Sequence, residues 1–142
     1  MNAKARVYRT ADVARIAELS LRQLQLWEER RVAVASRHGR VRVYDATQTL
    51  FVLLAAELRQ RGISFQKLRR VSGTMRDQLV EQRLTEIAGQ RQIFLLTDGR
   101  HLQFADSPNK IGELVSNFFE PFVCINVSNC LQRINKATVR ES

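Results

Sequence analysis

The sequence predicts an α+β fold whose mainly helical first half carries one short β-hairpin and whose second half closes as a small β-β-α-β-α unit. Three observations carry that expectation. Apolar residues recur at helical spacing through most of residues 11–88. The period shifts to two at VAVASRHGRVRVY and again at IFLLTDGRHLQFA, each time around a glycine. Charge is segregated as well. Residues 1–70 hold 15 Lys and Arg against 6 Asp and Glu, and residues 71–142 hold 8 against 8, so the whole net charge of +9 lies in the first half.

With 44% hydrophobic and 26% charged residues, a folded chain is expected rather than a disordered one. No apolar run approaches the roughly 20 residues that span a bilayer. The opening MNAKARVYRT lacks the apolar stretch of a secretory signal, so a cytoplasmic location at the nucleoid is expected, without a membrane. Two cysteines do not suggest a disulfide framework. A basic module favours nucleic acid, because each neutralised phosphate releases condensed counterions. An anionic membrane also attracts cations, but here they punctuate helices rather than forming one polybasic tail.

Thr10 is placed to cap a first helix from Ala11 to Leu19, with Asp12 in its first turn and Val13, Ile16 and Ala17 facing inward. Ser20 caps a second helix, Leu21 to Arg30, whose Leu24 and Trp27 define an apolar face. Arg22, Gln23 and Gln25 point elsewhere. Two short helices joined by a tight turn suggest a helix-turn-helix, in which the second helix enters the major groove. Next, Val32 and Val34, then Val41 and Val43, alternate as in a β-hairpin. Arg37, Arg40 and Arg42 make that hairpin basic, and His38 is expected to be exposed beside phosphate. A basic hairpin in this place reads as a wing that grips the backbone.

Asp45 caps a third helix that runs to about Arg61, apolar through Leu50, Val52, Leu53, Leu54 and Leu58, with Gly62 as its stop. Ser64 caps a fourth, with Phe65, Leu68, Val71 and Met75 on one face. Ser72 and Gly73 are candidate break points, and Leu79, Val80, Leu84 and Ile87 extend the helix to Ala88. Two apolar runs, Ile93 to Leu96 and Leu102 to Ala105, then flank Asp98-Gly99, a pair that favours a type I′ hairpin turn. Ser107 and Pro108 open a helix buried through Ile111, Leu114, Val115 and Phe118 and stopped by Pro121. Phe122 to Val127 reads as a third strand. Ser128 or Asn129 caps a closing helix with Leu131 and Ile134, and the tail after Lys136 is expected to fray. The expected organisation is a DNA-binding domain at 1–72, a linking or dimerisation helix at 73–90, and a small α/β dimerisation or sensor domain at 91–142.

The first seventy residues resemble the MerR family of transcriptional regulators. Four motifs in order carry the resemblance: YRTADVARIAELS as the opening helix, LRQLQLWEERRV as the recognition helix with its aromatic-Glu pair Trp27-Glu28, RHGRVRVYD as the wing ending in Tyr44, and LRQRGISFQKLRRV as the turn between the third and fourth helices. The resemblance implies a homodimer that binds a pseudo-palindromic promoter site and distorts it. RNA polymerase at the promoter and an unidentified small effector stand open as further partners. The DNA-binding residues implied are Arg22, Gln23 and Gln25 in the recognition helix and Arg37, His38, Arg40, Arg42 and Tyr44 in the wing, with Arg9 and Arg61 beside them. For Trp27, core packing is the preferred role.

The sequence also departs from the family. Gln25 stands where a basic residue is common, Leu26 where an aromatic is common, and the wing has one residue more between Gly39 and Arg42. Gln still reads adenine through paired hydrogen bonds, so these changes bear on the operator sequence. Cys124, on an expected buried strand, and Cys130, on an expected helix, are weak metal candidates that more often act as small hydrophobes. His101 is expected at the surface. No phosphate-cradling glycine loop and no Ser/His/Asp or Cys/His spacing appears, so neither an enzyme nor a cofactor is expected. Two other functions stay open: an architectural DNA binder with little sequence preference, and an interaction adaptor acting through the carboxy-terminal unit.

Overall fold

The structure is a computed structural model that describes residues 6–118 and 121–137. Along the chain run β1 (Tyr8–Arg9), α1 (Thr10–Ala17), α2 (Leu21–Glu29), β2 (Ser36–His38), β3 (Val41–Tyr44), α3 (Ala46–Gln60), α4 (Phe65–Glu81), α5 (Leu84–Ala88), β4 (Phe94–Thr97), β5 (Leu102–Ala105), α6 (Pro108–Val115), β6 (Val123–Asn126) and α7 (Val127–Lys136). The fold is α+β, with two small antiparallel sheets ordered β1-β3-β2 and β5-β4-β6.

The apolar α3 is the axis of the molecule. Leu50, Val52, Leu53, Leu54, Ala55 and Leu58 are fully buried, and they share one hydrophobic cluster with Val13 of α1, Leu24 of α2, Met75 of α4, Leu95 of β4 and Ile134 of α7. Asp45 caps α3 by accepting from the Gln48 N–H at 2.7 Å, and Gly62, at φ +100°, supplies the left-handed residue beyond its end. The carboxy-terminal α7 returns to the first helices. Arg133 donates to the Ile16 carbonyl at 2.7 Å and to Glu57 at 3.1 Å, and Arg6 donates to the Ala137 carbonyl at 3.0 Å.

Several local expectations are corrected. Thr10 is the first residue of α1 and not its cap; the Asp12 carboxylate accepts from the Arg9 N–H at 3.3 Å, and the Thr10 hydroxyl turns to Glu28. Glu18, at φ +59°, ends α1 before Leu19. Val32 to Val34 form no strand. The N–H groups of Val32 and Ala33 both donate to the Trp27 carbonyl to close α2, so the ladder starts only at Ser36.

The fourth helix does not reach Ala88. It passes Ser72 and Gly73 unbroken and stops at Glu81, where Arg83 takes φ +53° and turns α5 back onto the core. Leu68, Val71, Met75 and Leu79 are thereby buried within the chain, and Val80 is left exposed. The Asp98-Gly99 turn is a four-residue loop rather than a two-residue one, because Thr97 pairs with Leu102. Its order comes from side chains: Asp98 accepts from the N–H groups of Arg100 and His101 at 2.8 and 2.7 Å, and Thr97 donates to the His101 carbonyl.

Ser107 caps α6 as expected, yet Ile111, Leu114 and Phe118 are only half-buried and Val115 is exposed. The third strand is shorter than expected, and Asn126 caps α7 in place of Ser128 or Asn129. Ser128 instead accepts from the Ile93 N–H and donates to the Arg91 carbonyl, holding α7 to the start of β4. The expected fraying beyond Lys136 concerns, from residue 138 on, positions outside the described residues.

Candidate nucleic-acid interface

The second helix begins with a reciprocal cap. The Ser20 hydroxyl accepts from the Gln23 N–H at 3.0 Å, and the Ser20 N–H donates to the Gln23 side-chain oxygen at 2.9 Å. Leu24 and Trp27 point into the core, which turns Arg22, Gln23, Gln25 and Leu26 to solvent. Gln23 reaches solvent with its amide oxygen already engaged. Arg22 and Gln25 are exposed on this face and make no side-chain hydrogen bond or ion pair among the described residues.

The wing leaves β1-β3-β2 as a thin, basic sheet. Its pairs are Arg9 with Val43, Ser36 with Val43, Arg37 with Arg42 and His38 with Val41. Gly39, at φ +64°, opens the two-residue turn and leaves Arg40 at the tip. Arg9, Arg37, His38 and Arg40 are all exposed. Two arginines directly opposite across a ladder repel each other. One counter-charge lies within reach, on α2.

That counter-charge is Glu28. Its carboxylate is buried, with 3% of the side chain exposed, and it collects three donors. Tyr44 donates its hydroxyl at 2.7 Å, Arg42 its guanidinium at 3.2 Å and Thr10 its hydroxyl at 3.2 Å. These partners come from α1 and β3, so one carboxylate sets the wing against both helices of the helix-turn-helix. A buried acid is tolerated only when its oxygens are satisfied in this way. Tyr44 is completely buried, and burial together with Glu28 pushes its hydroxyl well above the ordinary phenol range.

The neighbouring residue of α2 makes a second connection. Trp27 packs its ring 6.4 Å from Phe65, the first residue of α4. Successive residues on a helix point about 100° apart. Glu28 and Trp27 therefore tie α2 to two separate flanks, the wing and the α3–α4 turn. Arg61 lies at that turn, half-exposed, with its Nε 3.5 Å from Glu57.

Residues 8–73 match the family model described as MerR HTH family regulatory protein. Over this segment the chain is similar to the MerR family. The match starts at β1 and ends inside α4, a little under half of the 142 residues. No curated protein matches the chain. The MerR-type helix-turn-helix match supports a DNA-binding transcription regulator.

Within the MerR-type domain, the exposed cations Arg9, Arg22, Arg37, Arg40 and Arg61 and the exposed His38 are free to meet an anion at some atom, and Arg42 keeps part of its guanidinium in solvent. Tyr44 is the correction. With no exposed surface and its hydroxyl given to Glu28, it has no access to phosphate and acts as the rivet of the wing.

One cysteine is corrected as well: Cys124, expected to be buried, is exposed on β6. Cys130 lies in α7 as expected and is buried there, where burial and Glu57 push its thiol up to about 11. Among the described residues no three His, Cys, Asp or Glu side chains gather at metal-binding distance.

Sequence reasoning missed two linking residues. Glu28 was visible in the Trp27-Glu28 pair, but its partners lie 14 to 18 residues away and no local pattern announces them. Arg76 of α4 donates to the Val32 carbonyl at 2.8 Å and lies 5.1 Å over the Phe51 ring, holding the segment between α2 and the wing. Burial pulls its guanidinium below the ordinary arginine value. Its place on the helix surface gave no sign of this duty.

Proposed function

We propose that the protein is a sequence-specific transcription regulator that binds a pseudo-palindromic promoter site as a homodimer and distorts the duplex. The observation that carries this reading is the Glu28 junction. It makes one rigid piece of a groove-sized helix presenting Arg22 and Gln25 and of a hairpin presenting Arg37 and Arg40. Arg22 and Gln25 serve base edges, and the wing cations with Arg9 and Arg61 serve the backbone. A site next to a promoter makes RNA polymerase the neighbouring partner. A cleft of about 340 Å³ between Phe51, Arg76, Val80 and Glu86 offers a small effector access to the base of the wing.

The inward face of α4 is occupied by the chain's own core, so the second protomer needs another surface. The half-covered stripe Ile111, Leu114, Val115 and Phe118 on and after α6 supplies one. Lys110 and Glu113 pair on the same helix at 3.7 Å, and a two-fold axis across α6 sets each against the partner's opposite charge.

Selection of bound genomic fragments followed by footprinting tests the proposal. The expected result is a symmetric footprint with half-sites about 34–36 Å apart or a multiple of this. A preference over random DNA of about 10³-fold or more is expected with it. Equal affinity for random duplex would establish an architectural binder instead. Sedimentation should give a dimer that Leu114→Asp dissociates.

A further inference from the structure

The carboxy-terminal unit meets the MerR-type domain at the first turn of α4. The contact is tight: a Cβ on Gly99 would lie 2.6 Å from the Cδ and 2.9 Å from the Cβ of Lys67. Gly99 also takes φ +92°, so only glycine fits here on both counts. The four-residue loop between β4 and β5 is thereby seated on α4, two residues from the Phe65 that packs on Trp27 of α2.

This seating forms a cleft of about 430 Å³. Arg61 of the α3–α4 turn, Lys67 of α4 and Arg100 of the β4–β5 loop all line it. Lys67 and Arg100 are exposed and make no ion pair among the described residues, and Arg61 has only its 3.5 Å contact with Glu57. The acid on the cleft wall, Asp98, does not neutralise them. Its carboxylate is buried and turned into its own loop, accepting from the N–H groups of Arg100 and His101 and lying 3.3 Å from the His101 ring. Burial pushes the Asp98 carboxyl up, but these hydrogen bonds outweigh it and hold the group below its ordinary value. The loop therefore keeps its shape while its cation faces out. Three positive side chains from three elements line one cleft, and among the described residues two of them, Lys67 and Arg100, have no ion-pair partner.

We propose that Arg100 and Lys67 bind the sugar-phosphate backbone of the same duplex that α2 reads, so that the carboxy-terminal unit is part of the DNA interface. This rests on the reading of α2 and the wing given above. Duplex DNA is favoured over a small anion because Arg61 and Lys67, two of the three cations, lie within the segment that matches the MerR helix-turn-helix model, and the third comes from a loop seated directly on it.

The test uses the full-length protein and a duplex selected by it from genomic fragments. Affinity is measured across about 50 to 200 mM salt, where each phosphate contact steepens the dependence. Arg100→Ala and Lys67→Ala are each expected to reduce the log–log salt slope by about 1. Arg100→Lys is expected to keep the slope, and the exposed Arg100 can be removed without shifting the melting temperature.

The proposal is overturned if both alanine variants keep the wild-type slope while Arg40→Ala lowers it. It is also overturned if inorganic phosphate stabilises the wild type thermally, Arg100→Ala abolishes that effect, and the DNA slope is unchanged; the cleft is then a small-anion site. A wild-type protein without salt-dependent DNA binding would sink the reading of α2 and the wing as well as this one.

Discussion

The two sheets are alike in size and opposite in use. Each has three short antiparallel strands. In β5-β4-β6 the central strand is buried on both faces, with Leu95, Leu96 and Thr97 inaccessible. In β1-β3-β2 the outer strand β2 is wholly exposed, and two arginines face each other across its ladder. The first sheet is held by apolar area, at roughly 25 cal/mol per Å² removed from water. The second has little such area on its outer strand, so it depends on a polar link, and that link is Glu28. On the proposed function, a sheet that offers cations to an external polyanion cannot also be neutralised and covered from within.

This contrast can be broken at its hinge. Glu28→Ala leaves the Tyr44 hydroxyl buried without a partner and Arg42 without its counter-charge. We expect a loss of about 3 kcal/mol of stability by chemical denaturation. DNA affinity at a temperature where the variant is folded should fall too, because the wing loses its fixed angle to α2. The control is Arg40→Ala, at an exposed position with no ion pair among the described residues, which should lower affinity and salt slope with an unchanged denaturation midpoint. If Glu28→Ala keeps wild-type affinity, the wing is positioned by its backbone alone.

Much of both halves was legible because their signals are local. Ser20, Asp45, Gly62, Ser64 and Ser107 mark helix ends at the places they occupy. The order of four motifs located the MerR-type domain. What escaped is non-local. A continuous apolar periodicity from Phe65 to Ile87 cannot announce that Arg83 adopts positive φ, because arginine has no preference for that region. Asp-Gly marks a turn, but the loop length is set by Asp98 and Thr97 binding their own backbone. The stripe on α6 has the spacing of a buried face, and spacing does not say what covers it. The fate of Tyr44 depended on a carboxylate 16 residues earlier.

A middle-sized effect joins the two halves. Arg133 of α7 donates to the Ile16 carbonyl at the end of α1 and pairs with Glu57 of α3. Arg133→Ala removes both, at a cost of about 1–2 kcal/mol by denaturation, since the side chain is about one-third exposed. Hydrogen exchange should then speed up in α7 and at the end of α1 while the wing is unaffected. Unchanged exchange in α7 would show that its apolar face alone keeps it docked.

The smallest effect separates the two cysteines. Cys130 titrates near 11 because burial, and then the charge of Glu57, oppose its thiolate; burial also raises Cys124, against the pull of Arg61. Alkylation by iodoacetamide at pH 8 should therefore label the exposed Cys124 more slowly than a free thiol and leave Cys130 intact until the chain unfolds. The folded state holds the Cys130 proton more tightly than the unfolded one, whose thiol titrates near 9.0. Its contribution to stability is complete below about pH 9 and is lost as pH rises from there through about 11. Cys130→Ala should flatten that part of the stability profile, read from urea unfolding at pH 8 and above 10. Equal labelling of the two thiols in the native protein would mean that α7 opens from α3 far more often than its contacts with Glu57 and Ile16 allow.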